Sequence, residues 1–413
     1  MKILLVNKFH WLKGGSEKYY FELGELLKSH GHEVAYFSMD DPKNIETKDK
    51  EYFVEPSDMN SKNVTKALSV IYNKKNKKKM EEALDDFKPD VVHLNNFQRQ
   101  LSASIISPCI KRNIPIVFTA HDVQAICPAI TMMDPDRNPC ELCMKGKYIN
   151  CVKKSCIKNS KLKSFLGAVE GKYYRNHKIY TNKIDYIITP SEFYRNKFIE
   201  DGVNQDKVKT LHNSIEMKDY DIKTQDDGYA LYFGRLSREK GILNLINAFK
   251  KLDNGLLYIA GEGPEKETIE KIIKDNKLEK RVKLLGFLNK KQMTEATRKC
   301  KFVVVPSIWY ENCPYSVLET LAIGKPVIGS NMGGIPELVE DNKNGFIYQY
   351  DDINELSNKM KLLFEDNKLV DKFSKESKKL AKEKYSRDEY YKDIIDIYKK
   401  VLNNKHTKET LHE

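Results

Sequence analysis

The sequence predicts an α/β protein built from two doubly wound units, each a parallel sheet with helices on both faces. Short β-rich runs alternate with helical patterns along the chain, as expected for strands joined by crossover helices. The length of 413 residues suits two or three domains. Hydrophobic residues make up 40% of the chain and aromatic residues 10%, which is enough for real cores and argues against wholesale disorder.

Eleven candidate strands divide between the two halves of the chain. In the first half they are predicted at Ile3–Val6, Glu33–Phe37, Val91–Leu94, Ile116–Thr119 and Tyr186–Thr189. In the second half they are predicted at Ala230–Phe233, Leu256–Ala260, Val282–Leu285, Phe302–Val305, Pro326–Gly329 and Gly345–Ile347. Helical patterns such as Glu17–His30 and Gly241–Leu252 lie between them, so each half has the strand–helix–strand order of a parallel sheet.

The domain boundary is predicted near residues 219–227, a polar stretch with little to bury. It separates an N-terminal Rossmann-like domain, residues 1–217, from a C-terminal one, residues 218–385. The first domain carries a cysteine-rich insertion at about residues 127–160. Residues 386–413 are predicted as a helix and tail, with four apolar residues on one helical face: Tyr391, Ile395, Tyr398 and Leu402. That face must pack on a domain, and packing back on the N-terminal domain is one option.

No apolar run in the chain approaches the roughly 18 residues of a membrane span. The N-terminal run Ile3–Val6 is also too short for a signal peptide, and it suits a first strand instead. We therefore expect a soluble, cytoplasmic protein, with peripheral attachment to the inner face of a membrane left open.

The net charge of +12 is concentrated in the first half of the chain. Between Cys140 and Lys183, ten lysines and one arginine face two glutamates, which leaves a local net charge of +9. The run Lys74–Lys79 adds five more lysines. A basic surface suits an anionic membrane, an anionic substrate or nucleic acid. For Lys74–Lys79 alone, a solvated surface is the favoured interpretation.

The chemically suggestive residues follow the predicted strands, where ligands bind in open α/β sheets. Gly14 and Gly15 precede a helix, and this arrangement suits close approach to an anionic group, although a tight turn uses the same pair. His121 follows the strand Ile116–Thr119 and suits a hydrogen bond to substrate, or an equally ordinary structural role. Arg235 and Lys240 follow the strand Ala230–Phe233, where two cations can hold a diphosphate or simply flank a turn.

The most informative segment follows the strand Phe302–Val305 and contains two glutamates eight residues apart. Glu311 is predicted in a loop and Glu319 in the next helix. The N–H groups at the start of that helix favour an anion. Two carboxylates here need hydrogen-bonding partners, because burying them unpaired is costly, and sugar and ribose hydroxyls are suitable donors.

In order, these motifs resemble those of the retaining nucleotide-sugar glycosyltransferases of the GT4 type (glycosyl transferases group 1), which have the GT-B fold. The resemblance covers nearly the whole chain. It is carried by Gly14-Gly15, Arg235…Lys240-Gly241, Gly261-Glu262-Gly263-Pro264, Glu311-x7-Glu319, and Pro326-Val327-Ile328 followed by Gly333-Gly334-Ile335-Pro336-Glu337. It implies two Rossmann-like domains with a cleft between them, a nucleotide-sugar donor in the C-terminal domain and a saccharide or lipid-linked acceptor near the N-terminal one.

The resemblance also implies residue roles. Arg235 and Lys240 would stabilise the leaving diphosphate, so that catalysis needs no metal or other cofactor. Glu311 would hold the hydroxyls of the transferred sugar, Glu319 the ribose, and His121 would lie near the reacting sugar. The remaining donor contacts would be Gly15 and Phe287, together with the backbone amides of Tyr315, Ser316 and Val317. Many relatives have glycine where this chain has Asn312, so the donor sugar is not named by the motif.

The function implied is a retaining, metal-independent sugar transfer in the synthesis of cell-surface polysaccharide or glycolipid. One alternative is a nucleotide-sugar epimerase on the same scaffold, but the two cations and paired glutamates favour transfer. A second alternative is a zinc-containing nucleic-acid-binding protein. No recognised nucleic-acid module is apparent in the sequence, so we expect no nucleic-acid partner.

Two features of the insertion remain. Cys140, Cys143, Cys151 and Cys156 include one pair at a zinc-like spacing and predict a structural, non-catalytic zinc, with disulfides or free thiols as alternatives. The segment Leu162–Tyr180 has apolar residues at helical spacing among lysines, which suits a helix lying on an anionic bilayer. Covering the N-terminal core is the slightly favoured alternative.

Overall fold

The computed structural model describes residues 1–59 and 64–410, and these divide into two units. The first contains Met1–Asp136, Cys140–Leu211 and the chain from Tyr391 onward. The second contains Arg137–Pro139 and His212–Tyr390. The predicted domain limits at residues 217 and 385 stay predictions, and the last three residues of the predicted tail, 411–413, lie outside the described residues.

The first unit is a parallel six-stranded sheet in the order β2-β1-β3-β4-β5-β6. Its strands are β1 (Lys2–Val6), β2 (Glu33–Phe37), β3 (Val91–Leu94), β4 (Ile116–Thr119), β5 (Tyr186–Thr189) and β6 (Val208–Thr210). Its first seven helices are α1 (Gly15–Ser29), α2 (Val64–Leu68), α3 (Lys74–Phe87), α4 (Ile106–Lys111), α5 (Ile149–Lys154), α6 (Lys161–Asn176) and α7 (Glu192–Glu200).

The second unit is another parallel six-stranded sheet, in the order β12-β11-β10-β7-β8-β9. Its strands are β7 (Tyr229–Phe233), β8 (Leu256–Ala260), β9 (Val282–Gly286), β10 (Phe302–Val305), β11 (Val327–Ser330) and β12 (Gly345–Tyr348). Its helices are α8 (Ile242–Phe249), α9 (Lys266–Asp275), α10 (Lys290–Lys299), α11 (Tyr315–Ile323), α12 (Ile335–Leu338), α13 (Ile353–Glu365) and α14 (Asn367–Lys384).

Both faces of the second sheet are covered, which explains why its strands are nearly continuous apolar runs. Ala230 and Tyr232 of β7 belong to one buried cluster, with α8 and α13. Tyr229 and Leu231 belong to another, with α11. Alternate side chains of one strand thus enter different cores, as expected of a parallel sheet with helices on both sides.

The predicted strands agree closely with the structure. Six have the predicted bounds, and the other five differ by a single residue at one or both ends. The strand β6 was missed because it has three residues, Val208-Lys209-Thr210, of which only the valine is apolar. So short a run at a sheet edge carries no periodic signal.

The C-terminal helix α15 (Arg387–Thr410) packs in the first unit from Tyr391 onward. Tyr398 is fully buried there, and its hydroxyl lies 2.6 Å from His93 Nδ1 on β3. Near the start of the helix, Tyr391 stacks on His30 and its hydroxyl bonds His32 Nε2 at 2.9 Å. Within the described residues, no helix combines the length and apolarity that a bilayer span demands.

Candidate active site

The candidate site in the second unit lies where the strand order reverses. Strands β7 and β10 are neighbours in the sheet although they are distant in sequence, so their helices leave on opposite faces. The loops that follow the two strands therefore open a crevice at the carboxyl edge, the usual ligand position in such sheets. The loop after β7 carries Arg235 and Lys240, and the loop after β10 carries Glu311.

Lys240 and Glu311 form the central ion pair of this crevice. Lys240 Nζ donates to Glu311 Oε1 at 2.6 Å, and the carboxylate is only 6% exposed. Ser307, two residues past β10, donates its hydroxyl to the same oxygen at 2.6 Å. Burial by itself would raise the pKa of Glu311, but Lys240 and Ser307 outweigh it and hold that pKa below its usual value. Glu311 is therefore ionised at neutral pH.

Trp309 completes the environment of this pair. Lys240 Nζ lies 5.0 Å from the centre of the indole ring, within cation–π range. The indole N–H approaches Glu311 closely enough to help lower its pKa. Among the residues that the structure describes, it makes no hydrogen bond of good geometry. Sequence reasoning missed both Ser307 and Trp309. Their position on the loop between β10 and Glu311 was the only available signal.

Two glycines allow these loops to meet. Gly241 has a φ of 70°, and a Cβ there would lie 1.7 Å from the Pro306 carbonyl oxygen. Gly333 has a φ of 61°, and a Cβ there would lie 2.1 Å from the Glu311 carbonyl oxygen. The next residue, Gly334, donates its N–H to that same carbonyl at 2.7 Å. Both glycines are thus required by backbone contact with the segment that carries Glu311.

The Gly261–Pro264 motif has a similar packing role. A Cβ on Gly261 would lie 1.9 Å from the Gly234 carbonyl oxygen, and a Cβ on Gly263 would lie 2.3 Å from that of Leu236. The Leu236 N–H donates to the Glu262 carbonyl at 2.9 Å. The motif after β8 therefore supports the backbone on either side of Arg235. Arg235 itself is exposed, and within the part of the chain that the structure describes, no ion pair holds its guanidinium.

Glu319 lies inside α11 and is partly buried. The helix begins at Tyr315 after Pro314, so the predicted amides of Tyr315, Ser316 and Val317 form its first turn. The Val317 N–H already donates to the Pro314 carbonyl at 3.0 Å, which disfavours it as a phosphate contact. Phe287 follows β9, at the far edge of the sheet, and its side chain is 77% exposed.

The candidate residues of the first unit also follow strand ends. His121, two residues past β4, donates from Nε2 to Asn95 Oδ1 at 2.9 Å. Asn95 follows β3 and donates its own amide to the Val6 carbonyl, so its oxygen faces the imidazole. Burial and the charge of Lys8 lower the pKa of His121 to about 3. The ring is therefore neutral, with its proton on Nε2 and Nδ1 unprotonated.

Gly14 and Gly15 lie at the start of α1, as predicted. Gly14 has an extended backbone, with a φ of −169°, so left-handed freedom does not explain the pair. Glu17 of the same turn is buried and accepts hydrogen bonds from Ser16 at 3.0 Å and Asn7 at 3.4 Å. The unpredicted Lys8, just past β1, is another cation of this region. Burial lowers its pKa, although Asp122 opposes that shift.

The cysteine-rich insertion differs from its prediction. Cys143 and Cys151 are buried beside Tyr148 and Ile157 in a small apolar cluster, with Cys156 packed against it. Burial, with the neighbouring thiols, raises the pKa of Cys143 to about 12. Among residues 1–59 and 64–410, no three His, Cys, Asp or Glu side chains are arranged to hold a metal ion. The zinc site predicted at Cys140, Cys143, Cys151 and Cys156 is therefore not supported.

Two units with crevices at the carboxyl edges of parallel sheets are the architecture of the nucleotide-sugar transferases with the GT-B fold. Residues 13–219 match the model of Glycosyltransferase Family 4, and residues 215–380 match that of Glycosyl transferases group 1. The chain belongs to this glycosyltransferase family.

Several curated proteins are similar to the chain. The uncharacterized glycosyltransferase MJ1607 of Methanocaldococcus jannaschii is 29% identical over 47% of this chain and 54% of its own length. A 42.6 kDa protein of the Klebsiella pneumoniae cps region is 26% identical over 86% of this chain and 91% of its own length. The alpha-monoglucosyldiacylglycerol synthase of Acholeplasma laidlawii is 24% identical over 81% and 82%, respectively. The match to MJ1607 thus spans only about half of that protein.

Solved structures share the fold. A glycosyltransferase from Rickettsia africae has a TM-score of 0.71 at 18% identity, covering 98% of this chain and 99% of its own. Anabaena HepE in complex with UDP-glucose has a TM-score of 0.63 at 16% identity, covering 97% of this chain and 100% of its own. At these identities the likeness establishes the fold, and the chemistry must be argued from the residues.

Proposed function

We propose that this protein transfers a sugar from a nucleotide-sugar donor to a saccharide or lipid-linked acceptor, with retention of configuration and without a catalytic metal. The observation that carries the proposal is the Lys240–Glu311 pair at the strand-order reversal of the second sheet, with the exposed Arg235 on the same loop as Lys240. The two cations suit a diphosphate. Glu311 keeps one carboxylate oxygen bonded by Lys240 and Ser307, and hydroxyls of a bound sugar would complete its hydrogen bonding.

The chemistry follows from where charge develops. In glycosyl transfer, negative charge grows on the departing diphosphate while the sugar becomes oxocarbenium-like. Lys240, held by Glu311 and the Trp309 ring, and Arg235 would stabilise that charge more in the transition state than in the ground state. Preorganisation matters here, because a cation already in place needs no rearrangement during the step. Exclusion of water would protect the donor from hydrolysis.

The remaining assignments extend this site. Glu319 would hold the ribose, Phe287 would stack on the base, and the first-turn amides of Tyr315 and Ser316 would meet sugar or phosphate. On the acceptor side, His121 would lie near the reacting sugar and Gly15 near the phosphate. The UDP-glucose bound by the Anabaena structure makes a uridine diphosphate sugar the first donor to test.

The test is a screen of nucleotide sugars, beginning with UDP-glucose, UDP-galactose and UDP-N-acetylglucosamine, with and without EDTA. Thermal stabilisation and slow donor hydrolysis need no acceptor, so both are measured on the protein alone. We expect one or two donors to stabilise the wild type and to be hydrolysed at a rate that EDTA leaves unchanged. Activity abolished by EDTA and restored by a divalent ion would contradict the metal-independent assignment.

We further propose that helix α6 rests on an anionic bilayer. Its buried face consists of Ser164, Gly167, Glu170 and Tyr174. Its apolar outer stripe is exposed among the residues that the structure describes. On that stripe Leu162 is 77% exposed and Phe165 56% exposed, and Val169 follows one turn further on. Exposed apolar side chains aligned on one helix face are typical of a surface that binds a partner or a membrane.

The charge beside this stripe favours a membrane as that partner. Lys161 and Lys172 are exposed at either end of it. The ring of Tyr173 lies 6.4 Å from that of Tyr72, which precedes the exposed Lys74 and Lys75 at the start of α3. This contact brings the start of α3, with Lys74 and Lys75, near the C-terminal part of α6. Basic and apolar groups together are what an anionic interface attracts.

Flotation with vesicles of phosphatidylglycerol and phosphatidylcholine tests this surface. We expect the wild type to float and the double variant Leu162→Ser/Phe165→Ser to stay in the soluble fraction. Leu362→Ser is the matched control, because Leu362 is an exposed leucine of α13 in the second unit. Equal flotation of all three proteins would assign the binding to charge alone and contradict a role for the apolar stripe.

A further inference from the structure

A continuous chain of hydrogen bonds crosses the interior of the first unit. Tyr398 OH on α15 lies 2.6 Å from His93 Nδ1 on β3. His93 Nε2 lies 2.7 Å from Thr119 Oγ1, at the end of β4. Thr119 Oγ1 in turn lies 3.1 Å from Tyr19 OH on α1. Four side chains from four elements thus form one buried polar connection.

Because the four side chains are buried, each hydrogen bond between them depends on the neighbouring one. His93, Thr119 and Tyr398 have no exposed surface, and Tyr19 is only 4% exposed. A buried polar group that loses its partner pays its full desolvation cost, so the chain has few alternative arrangements. An apolar side chain would suffice if the only requirement were to dock the helix α15.

The neutral imidazole of His93 couples the direction of its hydrogen bond with Tyr398 to the direction of its hydrogen bond with Thr119. Burial lowers its pKa to about 3, so the ring is neutral and one nitrogen donates while the other accepts. If the Tyr398 hydroxyl donates to Nδ1, then Nε2 must donate to Thr119. If Tyr398 accepts from Nδ1, then Thr119 must donate to Nε2. In the second case the Thr119 proton is used on Nε2, so Tyr19 must donate to Thr119. In the first case Thr119 keeps a proton that it can donate to Tyr19.

Tyr19 connects this chain to the candidate site. Its ring packs edge-on against His121, with ring centres 4.7 Å apart. His121 is held on its other side by the Asn95 amide oxygen. Tyr19 also lies one turn into α1, the helix that begins at Gly15. A shift of the Tyr19 ring would therefore move both His121 and the start of α1.

We propose that Tyr398, acting through His93, Thr119 and Tyr19, is a positioning residue that holds His121 and the Gly14–Gly15 turn in their reactive arrangement. The consequence for turnover rests on the proposed function, because it is there that His121 faces the reacting sugar. The hydrogen-bond coupling itself does not depend on that function.

The test compares two tyrosines of the same helix. Tyr398→Phe removes only the hydroxyl at the end of the chain. Tyr391→Phe is the matched control, because it also removes a tyrosine–histidine hydrogen bond that docks α15 on the first unit, but its partner, His32, is not part of the chain. A purely structural role predicts the same kind of effect for both variants.

Histidine side-chain NMR provides a readout that needs no substrate. The ¹⁵N-labelled protein has nine imidazoles, and the His121 signals are identified by their loss in His121→Asn. We expect Tyr398→Phe to shift the ring nitrogens of both His93 and His121, and Tyr391→Phe to shift neither. A change confined to His93 in Tyr398→Phe would overturn the proposal.

Hydrolysis of UDP-glucose gives the kinetic readout, with Thr119 as a second test position in case Tyr398→Phe folds poorly. We expect Thr119→Val and Tyr398→Phe to lower kcat about tenfold, since small misplacements of reacting groups are costly, while KM changes little. Thr119→Ser, which keeps the hydroxyl, restores the rate, and Tyr391→Phe retains it. Normal kcat in Thr119→Val would overturn the positioning role. A wild type that hydrolyses no nucleotide sugar would instead count against the proposed function, and the NMR result would still decide the coupling.

Discussion

The candidate sites of the two units occupy equivalent places at the carboxyl edges of parallel sheets, but they are held together differently. In the second unit, a charged pair between Lys240 and Glu311 joins the loops after β7 and β10. In the first unit, the neutral ring of His121 is held by an amide, and a chain of hydroxyls and an imidazole supports its neighbour Tyr19. In the proposed mechanism, the cations Lys240 and Arg235 would stabilise the leaving diphosphate, whereas the neutral ring of His121 would lie near the reacting sugar.

The largest expected effect on turnover comes from removing the cations of the second unit's site. Lys240→Ala and Arg235→Ala should each lower turnover by about 100-fold or more, the scale seen when one donor to a developing anion is removed. The assay is hydrolysis of saturating donor. Arg238→Ala is the control, since Arg238 is an exposed arginine of the same loop. Turnover of both variants close to that of the wild type would remove these cations from the mechanism.

Measurements of stability separate the structural role of Lys240, as the counter-charge of Glu311, from its proposed role in turnover. Its loss leaves Glu311 buried without its main counter-charge, so Lys240→Ala should also lower the midpoint of thermal unfolding. The double variant Lys240→Ala/Glu311→Gln should recover most of that stability without recovering activity. A double variant as unstable as the single one would show that the pair contributes little to the fold.

An intermediate effect concerns pH, where the two sites should titrate in different windows. His93 and His121 have folded pKa values of about 3, below the unfolded value of about 6.5. The unfolded chain therefore binds more protons below pH 6.5, and stability falls as the pH drops from there towards 3. The pKa of Glu311 is lowered instead, so its contribution is complete above the ordinary carboxyl value of 4.5 and is lost only as the pH falls through the folded pKa.

Thermal unfolding midpoints between pH 6.5 and 5 distinguish these sources. His93→Gln should reduce the fall of the unfolding free energy with decreasing pH. The reduction is at most about 1.4 kcal/mol per pH unit, the contribution of one histidine. Glu311→Gln should leave the slope in this window unchanged. Part of the slope will persist in either variant, because burial also lowers the pKa of His10 to about 4. If Glu311→Gln changed the pH dependence of stability in this window and His93→Gln did not, the assignment of that dependence to the buried histidine would be wrong.

The smallest expected effect is at Trp309. Trp309→Phe keeps a ring beside Lys240 but removes the indole N–H, and it should reduce kcat/KM by about two- to fivefold, as expected for a weakened cation–π contact. Trp309→Leu should lose more, because it removes the ring altogether. If leucine were tolerated as well as phenylalanine, the ring would have no part in holding Lys240.

Sequence reasoning worked best where the signal is local. The run Phe302–Val305 is a strand in both prediction and structure, because four consecutive β-branched or aromatic residues suit a buried parallel strand. Gly241 and Gly333 were visible in the sequence as members of motifs, but the reason for a glycine at each position was not. Gly241 and Gly333 are required by backbone contacts with Pro306 and Glu311, which only the folded chain brings close.

The zinc prediction is not supported by the structure, for a related reason. The spacing of Cys140 and Cys143 is typical of zinc ligands, but spacing does not decide whether thiols converge on a point or pack as small apolar groups. In the structure Cys151 is buried beside Tyr148 and Ile157. Helix α6 is a second example, because its apolar periodicity predicted the helix but not which face would be buried. Small and polar side chains face inward, and Leu162 and Phe165 stay exposed.

By itself, then, the sequence determined the two parallel α/β units and the family, because both depend on apolar periodicity and on short motifs read within a few residues. The tertiary structure alone decided the partnerships: Lys240 with Glu311 across 71 positions, and His93 with Tyr398 across 305. Such pairs depend on strand order and helix docking, which set side chains from distant segments within hydrogen-bond distance. No local pattern in the chain carries that information, because the energy of each pair exists only once both segments are buried together.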